Sequence, residues 1–104
     1  MQAMAEAVFY CAYNLKKGAV VADFLQASKR LNDEYISKQK GYISWKQLTA
    51  GDIWADLITF ETMQDCKDFE ANSANSGDLS KDFYSFINLN SCKLHYYTVE
   101  RSYE

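Results

Sequence analysis

The sequence has no proline and only four glycines in 104 residues. Polyproline segments and rigid proline linkers are therefore excluded. The glycines are scattered, so no glycine-rich phosphate loop exists and a nucleotide cofactor is not expected. There is one histidine, His95, and the three cysteines are Cys11, Cys66 and Cys92. An odd set of widely spaced cysteines builds no disulfide framework. No CxxC or Cys/His pair stands at zinc spacing, and His95 has only Cys92 near it in sequence. Free buried thiols in a reducing cytosol follow, which makes the cytoplasm the expected location. Positive charge is also scarce, with 11 Lys plus Arg against 14 Asp plus Glu and a net charge of −3. The short pairs Lys16-Lys17, Lys29-Arg30 and Lys38/Lys40 do not make a nucleic-acid footprint. No window approaches the roughly 20 apolar residues of a membrane helix. The opening MQAMAEAVFY has neither the basic start nor the long apolar core of a signal peptide. Neither nucleic acid nor membrane is an expected partner.

Against these absences stand 48% hydrophobic and 24% charged residues, an ordinary globular balance, so the chain is expected to fold. Aromatics are dense, with 8 Tyr, 6 Phe and 2 Trp, and supply a bulky core for so short a chain. No repeat or composition break divides it, and residues 1–104 are read as one domain.

Ala7 to Leu15 (AVFYCAYNL) is rich in strand formers and is broken by Lys16-Lys17-Gly18. From Ala19 the period changes, because Val20, Phe24, Ala27, Leu31 and Tyr35 recur at helical spacing. Lys38, Lys40 and Gly41 are expected to end that helix, with cations in the last turn and glycine at C′. Tyr42 to Ala50 and Ile53 to Glu61 read as strands flanking a tight Gly51-Asp52 turn. Thr62 is an N-cap with Asp65 three residues on, opening a helix that buries Cys66 and Phe69. Ser73 to Gly77 reads as a loop. A second helical piece is expected over about Ser80 to Leu89 and a last strand over about Cys92 to Tyr103. The order is β-α-β-β-α-β, the ferredoxin-like α+β arrangement of a four-stranded antiparallel sheet with helices on one face.

Helices cover only one face of such a sheet, and an open face in water should carry polar residues at alternate positions. Here Val8, Tyr10 and Ala12 oppose Phe9, Cys11, Tyr13 and Leu15, while Ile53, Ala55 and Leu57 oppose Trp54, Ile58 and Phe60. Both faces are fit for burial. A second copy of the same sheet is the expected cover, giving a homodimer through the sheet faces. The alternative is a monomer with a wet, tyrosine-rich face.

The element order, FYCAYNLKKG before the first helix, KGYISW opening the second strand, and ADLITFETMQDCKDFEAN leading into the second helix resemble the dimeric α+β barrel superfamily. The similarity is to its antibiotic-biosynthesis-monooxygenase-like branch and covers most of the chain. The resemblance implies a sheet-to-sheet homodimer with a cavity between sheet and helices in each subunit. It also implies an activity class that includes cofactor-free oxygenases acting on aromatic polyketides, haem-degrading enzymes and proteins without known activity. Asn14 matches the Asn that ends the first strand of haem-degrading members. Phe69, Glu70 and Asn72 occupy the region where those members carry Trp and His, and Phe60 stands at the family's common Trp. No haem, metal, flavin or other cofactor is expected.

Three residues are candidates for chemistry. Asp56 interrupts the apolar run IWADLITF, lies opposite Gln47 if Gly51-Asp52 is the turn, and shares a face with Trp45, Trp54 and Ile58. A carboxylate walled by two indoles could act as a general base, or it could be structural, bonded to Gln47 or paired with a Lys across the dimer. His95 could be an acid/base group, or a strand histidine at an edge or interface. Asn14, with Tyr10 and Tyr13, could hydrogen-bond a ligand, or simply serve the turn near Gly18. A cofactor-free oxygenase needs little more, because an electron-rich phenolate can itself reduce dioxygen. The sequence is thus read as a monooxygenase-like protein binding a small aromatic or apolar molecule, catalytic residues Asp56, His95 and Asn14, ligand-binding residues Tyr10, Trp45 and Trp54. A non-catalytic dimeric stress-response or regulatory module is the other reading.

Overall fold

A computed structural model describes residues 5–103. The nine residues of β1, Ala7–Leu15, form the strand that the Val, Phe and Tyr content predicts. Helix α1 runs from Val21 to Glu34 and buries Phe24, Ala27, Ser28 and Leu31. Strands β2, Tyr42–Ala50, and β3, Ile53–Phe60, form the hairpin around Gly51-Asp52, where Gly51 takes φ of +60°. Helix α2 covers Met63–Ala71, and Thr62 caps it by accepting a hydrogen bond from the Asp65 amide at 3.0 Å. A 3-10 turn over Ser73–Ser76 leads to the short helix α3, Asp78–Tyr84, and then to β4, Ile87–Thr98.

The sheet order is β2-β3-β1-β4 and every pairing is antiparallel. This is the ferredoxin-like α+β arrangement. Phe9 and Tyr13 from β1, Ile58 and Phe60 from β3, Phe24 and Leu31 from α1, Phe69 from α2 and Phe83 from α3 form one buried cluster, so the helices share one face of the sheet. Many of its aromatic contacts are edge-to-face, such as Phe9 on Phe69 at 5.5 Å and Trp45 on Phe83 at 5.6 Å. The other face has no cover among the described residues. Val8, Tyr10 and Ala12 meet Leu57 and Ala55 there, with Leu48, Ile53 and Tyr97 exposed around them.

Several boundaries differ from the sequence reading. Helix α1 ends at Glu34 rather than near Lys38, because Tyr35 leaves helical geometry (φ −138°, ψ −63°) and a separate 3-10 turn spans Ile36–Lys38. Gly41, at φ +79°, therefore bends the chain into β2 instead of capping the helix. Helix α3 starts and stops earlier than expected, and β4 begins at Ile87 rather than Cys92. The spacing of Phe83, Phe86 and Ile87 imitates a helical face, yet Ile87 is buried as a strand residue paired with Leu15. An irregularity in β4 absorbs the extra length, since Ala12 pairs with Lys93 while Asn14 pairs with Asn88. Tyr103 lies beyond the strand and is exposed.

Candidate functional site

The hairpin register is the one expected: Gln47 pairs with Asp56 and Trp45 with Ile58. Because side chains alternate, Asp56 points with Trp54, Ile58 and Phe60 toward the helices, and only 5% of it is exposed. A bare charge there would be too costly, and the surroundings answer it with donors. Tyr13 donates its hydroxyl to Asp56 Oδ1 at 2.9 Å, and Trp45 donates Nε1–H to the same oxygen at 3.2 Å. Gln47 stands beside both groups, held by its own amide, which donates to Ser28 Oγ at 3.0 Å. Ser28 in turn donates to the Phe24 carbonyl at 2.8 Å. The carboxylate is thus tied through Gln47 to α1.

Burial raises the Asp56 carboxyl from 3.8 to about 7, and the hydrogen bonds from Tyr13, Trp45 and Gln47 only partly oppose the rise. The same burial, with the Asp56 charge nearby, pushes the Tyr13 hydroxyl far above its ordinary value. Tyr13 therefore stays a donor and Asp56 is the group able to gain or lose a proton near neutrality. Cys11, the β1 partner of Asp56, is pushed up to about 12 by burial and by Cys92 and Asp56, which leaves it an unreactive thiol.

Asp56 also lines a cavity of about 30 Å³ between the sheet and the helices. Its walls are Phe9, Trp45 and Ile58 from the sheet, Leu31, Tyr35 and Ile36 at the end of α1, Phe69 from α2, and Ser73, Ser80, Phe83 and Tyr84 around α3. The hydrogen bonds from Tyr13 and Trp45 both fall on Oδ1. Among the described residues no fully sealed polar side-chain atom lacks a partner, so Oδ2 keeps open space beside it.

The candidate residues are divided among three places. Asp56 and Trp45 meet at the cavity. Trp54 shares their side of the sheet but packs edge-on against Phe24 at 5.2 Å, away from the cavity wall. Tyr10 and His95 are cross-strand partners on the open face, where their rings lie 6.3 Å apart and His95 is 5.8 Å from Tyr97. Asn14 sits at the end of the sheet, where Nδ2 donates to the Asp52 carbonyl at 3.0 Å and ties β1 to the hairpin turn. Tyr13 was named in the sequence only as a strand-end tyrosine, yet it is the shortest contact to Asp56. Its signal is parity, because it faces the same way as Cys11, the strand partner of Asp56. Among the described residues no group of three His, Cys, Asp or Glu side chains could hold a metal ion, and no helix is long and apolar enough to cross a membrane.

No family model and no curated protein matches the sequence. Solved structures do match the fold. SnoaB, a cofactor-independent oxygenase from Streptomyces nogalater, superimposes with a TM-score of 0.73 over 94% of this chain and 96% of its own, at 10% identity. A candidate antibiotic biosynthesis monooxygenase from Bordetella bronchiseptica gives 0.74 over 97% and 100%, at 12% identity. A protein of unknown function from Nitrosomonas europaea gives 0.65 over 99% and 97%, at 13% identity. Such low identities carry the fold and not the activity. The chain shares its α+β fold with SnoaB and with candidate antibiotic biosynthesis monooxygenases.

Proposed function

We propose that this protein binds a small aromatic or apolar molecule in the cavity between sheet and helices, and that Asp56 exchanges a proton with it. The observation that carries this reading is a carboxyl group 95% buried, titrating near 7, at the wall of an apolar cavity. For a hydroxylated aromatic, Asp56 takes the phenolic proton. The electron-rich phenolate then reduces dioxygen and forms the new carbon–oxygen bond, and loss of water leaves a quinone. Tyr13 and Trp45 hold the carboxylate in place, and the aromatic walls exclude water. The likeness to SnoaB supports this class of chemistry, which needs no added cofactor. A ring-sized substrate requires the cavity to widen.

The uncovered apolar face of β1 and β3 supports a homodimer through the sheets, in which Tyr10, His95 and Tyr97 lie at the interface and Asn14 near its end. Light scattering at micromolar concentration should give twice 12 kDa; a stable monomer would remove the sheet-to-sheet assembly.

The second reading, a non-catalytic dimeric module, is favoured by the small size of the cavity. Oxygen uptake separates the two. Wild type should consume dioxygen with at least one member of a panel of quinols and hydroxynaphthalenes, without added metal or flavin, and Asp56→Asn should not. No uptake and no saturable binding across the panel would leave the module as the function.

A further inference from the structure

The charges around the cavity do not balance. Asp56 supplies a carboxylate whose Oδ2 takes neither the Tyr13 nor the Trp45 hydrogen bond, and no Lys, Arg or His stands among the described residues of the wall. The groups packed around Asp56 are Cys11 and Tyr13 from β1, Trp45 and Gln47 from β2, Cys92 from β4 and Tyr84 from α3. All are uncharged at neutral pH. Burial lifts Cys11 and Tyr84 to about 12 and raises Tyr13 and Cys92 as well. A buried carboxylate in such a place is compensated either by a proton or by a cation from outside.

The wall has the makings of a cation receptor. Six aromatic rings surround the space, and the electron-rich faces of Trp, Tyr and Phe attract organic cations. Ser73 and Ser80 also line the space, and a serine hydroxyl oxygen keeps acceptor capacity even where, as in Ser80, it already contacts Ser76 Oγ. Size points the same way. The cavity is about 30 Å³, against the roughly 150 Å³ of an engineered cavity that admits benzene. A ring does not fit a space of this size, but a group the size of one water and one methyl does.

We propose that the cavity receives the ammonium head of a small primary amine, with its N–H groups on Asp56 Oδ2 and the serine hydroxyls and its first carbon among the aromatic rings. The inference rests on the reading of this cavity as a ligand site, and not on oxygenase chemistry there. It has its own signature, because an ammonium ion binds the ionised carboxylate. Its affinity should rise about tenfold per pH unit while Asp56 is protonated and level off above about 7.

The test uses methylammonium chloride, with methanol as the neutral isostere and sodium chloride as the ionic control. The readout is the NMR shift of the Trp45 indole N–H, which donates to Asp56 directly. A saturable shift is expected with methylammonium alone, with affinity at least tenfold higher at pH 7.5 than at pH 5.5. Asp56→Asn should lower the affinity at pH 7.5 at least tenfold and abolish its pH dependence. The wild-type pH profile decides the matter by itself if that variant folds poorly. Equal, pH-independent saturation by methanol would overturn the cation site while leaving a ligand site. No saturation by methylammonium would overturn the proposal, and saturation by neither probe or by any quinol would remove the ligand site with it.

Discussion

Replacing Asp56 by Asn perturbs the fold's energetics in a way whose size follows from the site. In the folded protein the carboxyl titrates near 7, whereas in the unfolded chain it returns to about its ordinary 3.8. Between those values the folded state holds a proton that the unfolded state has already released, so folding stability falls as pH rises. The loss begins near pH 4, continues through pH 7 and then levels off. A difference of about three pKa units at 1.36 kcal/mol each makes it roughly 4 kcal/mol, a large share of the total stability of a small domain. Asn keeps the oxygen that accepts from Tyr13 and Trp45 but cannot ionise. Against wild type, the variant should therefore be within about 1 kcal/mol at pH 4 and gain progressively, by up to roughly 4 kcal/mol at pH 8. Paired urea unfolding curves at fixed protein concentration measure this, because every other titrating group is common to both chains. With a slope of about 1.5 kcal/mol per molar, the midpoints should separate by about 2 to 3 M between pH 4 and pH 8. Parallel midpoints across that range would show that Asp56 keeps its ordinary proton affinity on folding, and the electrostatic reasoning would fail.

Tyr13→Phe removes the shorter of the two donors to Asp56 Oδ1, so urea unfolding should show a loss of about 1.5 to 3 kcal/mol at pH 8 and a smaller loss at pH 5, where the carboxyl is protonated. Gly41→Ala places a Cβ at 2.2 Å from Asp65 Oδ2 on a backbone with φ of +79°; calorimetry should show a thermal midpoint lower by several degrees or more. Leu57→Arg puts a charge in the middle of the uncovered sheet face, opposite Tyr10, and should convert the proposed sheet-to-sheet dimer to a monomer by light scattering while the circular dichroism spectrum is retained.

The hairpin and the Asp56 neighbourhood were legible in the sequence because their constraint is local. Gly51-Asp52 supplies the positive φ that the turn needs, and once the turn is placed, the pairing of Gln47 with Asp56 follows by counting. The Thr62 cap was legible for the same reason. The start of β4 was not, since Ile87 serves equally well on a helix face or a strand and its choice depends on pairing with Leu15, far away in the chain. Tyr13 shows a similar limit. Its hydroxyl reaches Asp56 diagonally across two strands, and that requires knowing that β1 lies beside β3. Trp54 looked equivalent to Trp45 by alternation, yet α1 inserts Phe24 against it and leaves only Trp45 at the cavity. His95 and Asn14 were chosen for their chemistry, which carries no information about where the sheet would place them.

The claim on which the site depends is that Asp56 is a buried proton-exchanging group, and the titration of its own carboxyl carbon tests it most directly. Carbon-13 NMR of the Asp-labelled protein, with Asp56→Asn to assign the signal, should show the Asp56 carboxyl titrating with a midpoint near 7. A midpoint near 4 for Asp56 would contradict the account and return this residue to the ordinary surface carboxylates.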